Sequence, residues 1–141
     1  MLEIDPNLTQ VQMNLAICYA AKGEYAKAIA LFERVRQNDA GFAMDMGLLL
    51  AYTYAIAGDR TTAERTLKQT LEAAKGGYVY PYDAALAYGA LGDKDQAFAW
   101  LEKGYQERVD QMAWLKVDPR MKPLRDDPRF AEMLRRVGLA Q

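Results

Sequence analysis

Apolar residues recur along the chain at spacings of three and four, interrupted at intervals by a glycine followed by an acidic residue. Leu15 and Tyr19 are four apart, as are Ala28 and Phe32, so each pair lies on one face of a helix. Extended along the chain, this pattern predicts helices near residues 8–22, 24–37, 42–57, 59–74, 81–91 and 93–107. The linkers Asn38-Asp39-Ala40-Gly41 and Gly76-Gly77-Tyr78-Val79-Tyr80-Pro81 supply the breakers between them. Pro81 suits the first turn of a helix, where a missing amide hydrogen costs nothing.

The interruptions themselves repeat. Gly23-Glu24-Tyr25-Ala26-Lys27-Ala28, Gly58-Asp59-Arg60-Thr61-Thr62-Ala63 and Gly92-Asp93-Lys94-Asp95-Gln96-Ala97 align, with glycines 35 and 34 residues apart. Before them stand Leu15-Ala16-Ile17-Cys18-Tyr19, Leu50-Ala51-Tyr52-Thr53-Tyr54 and Ala84-Ala85-Leu86-Ala87-Tyr88. After them, four residues beyond each alanine, come Phe32, Leu67 and Leu101. A glycine between two helices fits the left-handed residue that ends the first. Asp59 and Asp93 then fit the N-cap of the second, whereas Glu24 is a poorer cap by geometry. Small residues on facing helices (Ala16, Ala51 and Ala85 against Ala28, Ala63 and Ala97) permit close approach. One such pair cannot bury its apolar faces alone, so neighbours must stack.

With these motifs the chain resembles the tetratricopeptide repeat family. The family's order of Leu, small residue, Tyr, then Ala and a large apolar residue is closely matched in all three units. Its tryptophan near the start of each first helix is replaced by Gln12, Gly47 and Pro81. The resemblance implies an all-α fold, a right-handed superhelical array of three antiparallel helix pairs (an α-solenoid) closed by a C-terminal capping helix. Its units would be residues 8–42, 43–77 and 78–111, with a cap over 112–141. Leu2-Glu3-Ile4-Asp5-Pro6-Asn7 resembles the end of a preceding repeat, so residues 1–7 are expected to belong to a longer array, truncated here.

The tail breaks the pattern. Gln111-Met112-Ala113-Trp114-Leu115-Lys116 predicts a short helix, stopped by Asp118-Pro119, and Pro123 forbids a long one after it. Asp127-Pro128 starts another, with Phe130, Met133, Leu134 and Val137 on one stripe and Gly138 at its end. Residues 116–141 carry 7 basic and 4 acidic side chains, against 11 and 15 for residues 1–115. A basic end suits an acidic partner or nucleic acid, but Asp118, Asp126, Asp127 and Glu132 interrupt the run, and Arg–Asp pairing within the cap explains it equally. The tail also resembles the segment that closes repeat regions in multidomain bacterial signalling proteins. That implies, as an alternative function, a regulatory or ligand-sensing domain C-terminal to a kinase, a cyclase-like domain or a winged-helix regulator.

Composition then narrows the chemistry. The chain has 141 residues, no histidine, one cysteine and a net charge of −1. Histidine-dependent triads, histidine metal sites, Cys-cluster zinc sites and an internal disulfide are therefore excluded. The carboxylates Asp93, Asp95, Glu102 and Glu107 fall at a helix start or on a solvated face, where capping and solubility explain them. No apolar run reaches the ~18 residues of a membrane span. A cytoplasmic, non-enzymatic binding protein without cofactor or metal is expected, and general nucleic-acid binding is disfavoured by the charge.

In the family, the first helices line a concave groove for peptides. The resemblance places Gln10, Met13, Asn14, Ile17 and Ala21 there from the first unit. Asp45, Leu48, Leu49, Tyr52 and Ile56 would come from the second, and Val79, Tyr82, Asp83, Leu86 and Ala90 from the third. Asn14 is present but lysine and arginine are absent, and Asp45 and Asp83 would repel a terminal carboxylate. An apolar or helical segment, with or without a basic residue, suits this surface as partner. Cys18 fits a small buried hydrophobe. Alternatively, Val11 and Cys18 face an open N-terminal edge at which copies self-associate.

Overall fold

The computed structural model describes residues 6–75 and 77–139. Residues 1–5, within the expected end of an earlier repeat, lie outside them, as do Gly76, Ala140 and Gln141. The described residues form seven α-helices and three short 3-10 segments, with no strand. In order these are α1 (Pro6–Ala21), α2 (Tyr25–Asn38), α3 (Ala43–Ile56), α4 (Arg60–Ala73), α5 (Pro81–Ala90), α6 (Lys94–Glu107) and α7 (Pro128–Val137). The first six lie within two residues of the helices expected from spacing. Consecutive helices pack as pairs, α1 on α2, α3 on α4 and α5 on α6, the building pattern of an α-solenoid. The chain divides into two compact units, residues 1–78 and 79–141.

The same turn closes each pair. Gly58 has φ of 93°, a conformation that side chains with a Cβ rarely adopt. It lets the Asp59 amide donate back to the Tyr54 carbonyl at 2.9 Å and the Gly58 amide to Ala55 at 3.1 Å. Those two bonds satisfy carbonyls that the helix end would otherwise leave open. Tyr19 and Tyr88 accept in the same way from Glu24 and Asp93. Asp59 and Asp93 then cap α4 and α6, accepting from the Thr62 and Gln96 amides at 3.1 and 3.2 Å. Glu24 makes no side-chain cap bond and pairs with Lys27 at 2.7 Å instead.

Within residues 1–78 the core joins Met13 and Ala16 of α1, Ala28, Phe32 and Val35 of α2, and Met46, Leu49 and Leu50 of α3. The six alanines expected at the closest approaches are all fully buried. Phe32 and Leu67 fill the space beside them, each stabilising by about 1.5–3 kcal/mol. Helix α3 is enclosed from Met46 to Ala51. At Gly47, a Cβ would stand 2.3 Å from Thr70 Oγ1 on α4, so the helices meet too closely there for any side chain.

Within residues 79–141, α5 and α6 pack on each other, and Ala84, Ala85, Ala97 and Leu101 are fully buried. The tail folds back on this pair. The expected helix at 111–116 is a 3-10 segment, Asp110–Trp114, and a second one, Pro119–Leu124, lies against α5. Helix α7 packs on α6, with Phe130 and Met133 buried and Gly138 ending it at φ of 87°.

Candidate interaction surface

In residues 1–78, the side chains expected to line a groove sort into two groups. Met13, Leu48 and Leu49 are buried, at 9%, 0% and 8% exposure. They belong to the packed interior, which corrects the expectation that they face a ligand. Packing explains the difference: Met13 and Leu49 join the cluster with Phe32 and Val35 of α2, and Leu48 lies in the enclosed stretch of α3. Gln10, Asn14, Ile17 and Ala21 remain exposed on α1, and Gln10 Nε2 donates to Asn14 Oδ1 at 3.2 Å. Asp45, Tyr52 and Ile56 are half-buried on α3, seven and four residues apart along one side.

Asp45 stands out electrostatically. Its Oδ1 is enclosed and has no hydrogen-bond partner, alone among buried side-chain polar atoms of the described residues. Burial pushes its carboxyl above the ordinary aspartate range, and no cation counters that shift.

In residues 79–141 the expected lining is mostly closed. Tyr82 and Leu86 are 1% and 2% exposed, and Val79 is buried with them, while Asp83 and Ala90 are half-buried. Tyr82 is therefore not an open anchor. Its hydroxyl donates to Asp118 Oδ2 at 2.8 Å, and burial together with that carboxylate pushes the phenol pKa up. Burial pushes the Asp118 carboxyl up as well, but bonds from Arg120 and Tyr82 outweigh it and hold the group below its usual range. Arg120 grips both Asp118 oxygens, Nη2 at 2.8 Å from Oδ2 and Nε at 3.0 Å from Oδ1. Arg125 donates to the Lys116 and Asp118 carbonyls, both at 2.9 Å. This buried network joins positions 36 residues apart, a separation that no local motif announces.

Beside that network lies a hollow of about 480 Å³, rimmed by Trp114 and Val117 and floored by Tyr82, Asp118 and Arg120. Trp114 and Val117 are 64% and 65% exposed, although both stand beside the buried Leu115 or Asp118 in the sequence. A second hollow, of about 470 Å³, lies in residues 1–78 between Arg36, Met44, Gln69 and Thr70.

The basic end is largely occupied by its own acids. Arg129 bonds Asp127 and Asp95 at 2.9 and 2.8 Å. Its guanidinium lies 4.5 Å from the Phe98 ring centre. Arg136 grips both oxygens of Glu102 and lies over Tyr105, and Arg135 pairs with Glu132. Of the two explanations for the charge run, internal pairing is the one seen at these arginines.

The outer side of α1 is open. Val11, Leu15 and Cys18 are all exposed, so Cys18 is not the buried hydrophobe its chemistry suggests. Thirty-five residues on, Met46, Leu50 and Thr53 occupy the same repeat positions and are fully buried. Met46 and Leu50 owe this to the cluster they share with Phe32 and Val35 of α2. No helix among the described residues is long and apolar enough to cross a membrane.

Residues 9–35 and 82–107 match the family model described as tetratricopeptide repeat. No curated protein and no solved structure matches the chain. The matched segments contain most of α1 with α2, and α5 with α6, the helix pairs whose turns and alanine contacts are described above. These two segments thus carry the tetratricopeptide repeat pattern, whose helix-pair units generally serve as protein-interaction modules.

Proposed function

We propose that this chain is a non-enzymatic interaction scaffold that receives an apolar or helical peptide segment along the open sides of α1 and α3. The observation that carries the reading is the partial exposure of Ile17, Tyr52 and Ile56 beside a packed layer containing Met13 and Leu49. Apolar side chains left open beside a rigid layer lose water on binding without a large ordering cost. The test substitutes Ile17→Glu and Ile56→Glu together, because a charge at enclosed Leu48 would unfold the protein instead. A partner recovered from cell extract by the parent protein is expected to be lost with the double variant. Equal recovery by both refutes the groove.

A second reading is favoured by the outer side of α1, where Leu8, Val11, Leu15 and Cys18 follow one helical stripe and all are exposed. Helix α1 carries no charged residue from Pro6 to Ala21. Two copies of this face therefore meet without like-charge repulsion, as a two-fold interface requires.

A further inference from the structure

We infer that Asp45 is the specificity point of this surface, selecting a partner segment by a lysine or arginine side chain flanked by apolar residues. This rests on the groove reading and adds to it the chemistry of what is bound. Asp45 is the sole formal charge among Gln10, Met13, Asn14, Ile17, Leu48, Leu49, Tyr52 and Ile56, the other side chains assigned to α1 and α3. Asp118, more deeply enclosed than Asp45, has both oxygens bonded, to Tyr82 and Arg120. Asp45 has no such partner, and one oxygen is already shut off from water. A half-buried carboxylate without a donor is costly, and an ammonium or guanidinium that reaches the side of Asp45 still open offsets that cost by charge attraction. A neutral segment leaves it in place, and an acidic one adds repulsion.

The spacing along α3 specifies the ligand further. Asp45 and Tyr52 are seven residues apart, so about 10 Å separates them along the helix axis. A bound segment spans that distance with roughly three residues if extended, or about seven if helical. The basic residue and its first apolar neighbour are expected at one of those separations.

The test selects random twelve-residue peptides displayed on phage against the parent chain and against Asp45→Asn, after circular dichroism shows that both are folded. Peptides enriched on the parent are expected to share a lysine or arginine at a constant distance from an apolar residue. Synthetic versions with that residue changed to glutamine should bind the parent about tenfold more weakly, the scale of one charge-assisted hydrogen bond. On Asp45→Asn the same change should cost less than about twofold. If the basic residue can be replaced without loss, while Ile17→Glu with Ile56→Glu still abolishes binding, Asp45 is not the selector and the groove stands. If no peptide is enriched, or binding ignores the double variant, the groove reading fails and this inference with it.

Discussion

Single residues set the closest tolerances here, and Gly47 is the clearest. It occupies the place where tetratricopeptide repeats carry tryptophan, yet Thr70 approaches so near that even a methyl group would stand 2.3 Å from its hydroxyl oxygen. Thr70 is held in turn, since its hydroxyl donates to the Thr66 carbonyl at 2.7 Å. Overpacking of this kind costs about 1–3 kcal/mol. Gly47→Ala is expected to lower the unfolding free energy by that amount in urea titration, despite alanine's better helix propensity. Gly47→Ala with Thr70→Ala should recover part of the loss. A Gly47→Ala variant as stable as the parent would show that α3 and α4 do not meet this closely.

At the scale of elements, the helices owe their ends to side-chain chemistry more than to length. Asp127 caps α7 by accepting from the Arg129 amide at 2.9 Å, and the Arg129 guanidinium bonds the same carboxylate. Those bonds hold the Asp127 carboxyl at about 2, below its ordinary 3.8. A depressed carboxyl pKa stabilises the fold above the unfolded value, and the gain disappears as pH falls through the folded one. Hydrogen exchange in α7 should therefore show protection constant above pH about 4 and declining towards about 2. Asp127→Ala should weaken protection at neutral pH and flatten that decline, and an unchanged decline would remove Asp127 from the cap.

At the scale of the whole molecule, the tail pairs its charges internally while α1 carries none. Arginines of the tail meet Asp95, Glu102, Asp118, Asp127 and Glu132, whereas α1 presents an uncharged, water-facing stripe. If that stripe joins two copies, light scattering should give twice the 15.9 kDa chain mass for the parent. Val11→Glu with Leu15→Glu should give the single-chain mass, since each would place a carboxylate in a desolvated contact. A parent protein that is monomeric at every concentration measured excludes the second copy.

The repeats were legible from the chain itself because their determinants are local. A glycine followed by an acidic residue sets a turn, an alanine five residues beyond the glycine sets a close approach, and spacing of three and four sets a face. Each depends on residues within one or two helical turns. The surface was legible only in part. Helical period assigns Leu48, Tyr82 and Leu86 to the same sides as Tyr52 and Ile56, but it cannot say how far packing encroaches on a stripe. Tertiary structure decided that, since it brought Asp118 to Tyr82 from 36 residues away and closed the third unit's expected anchor. It also decided which apolar residues stayed in water: Trp114, Val117 and the outer line of α1. Local sequence determines the helix pairs; burial depends on which distant segment arrives to exclude the water.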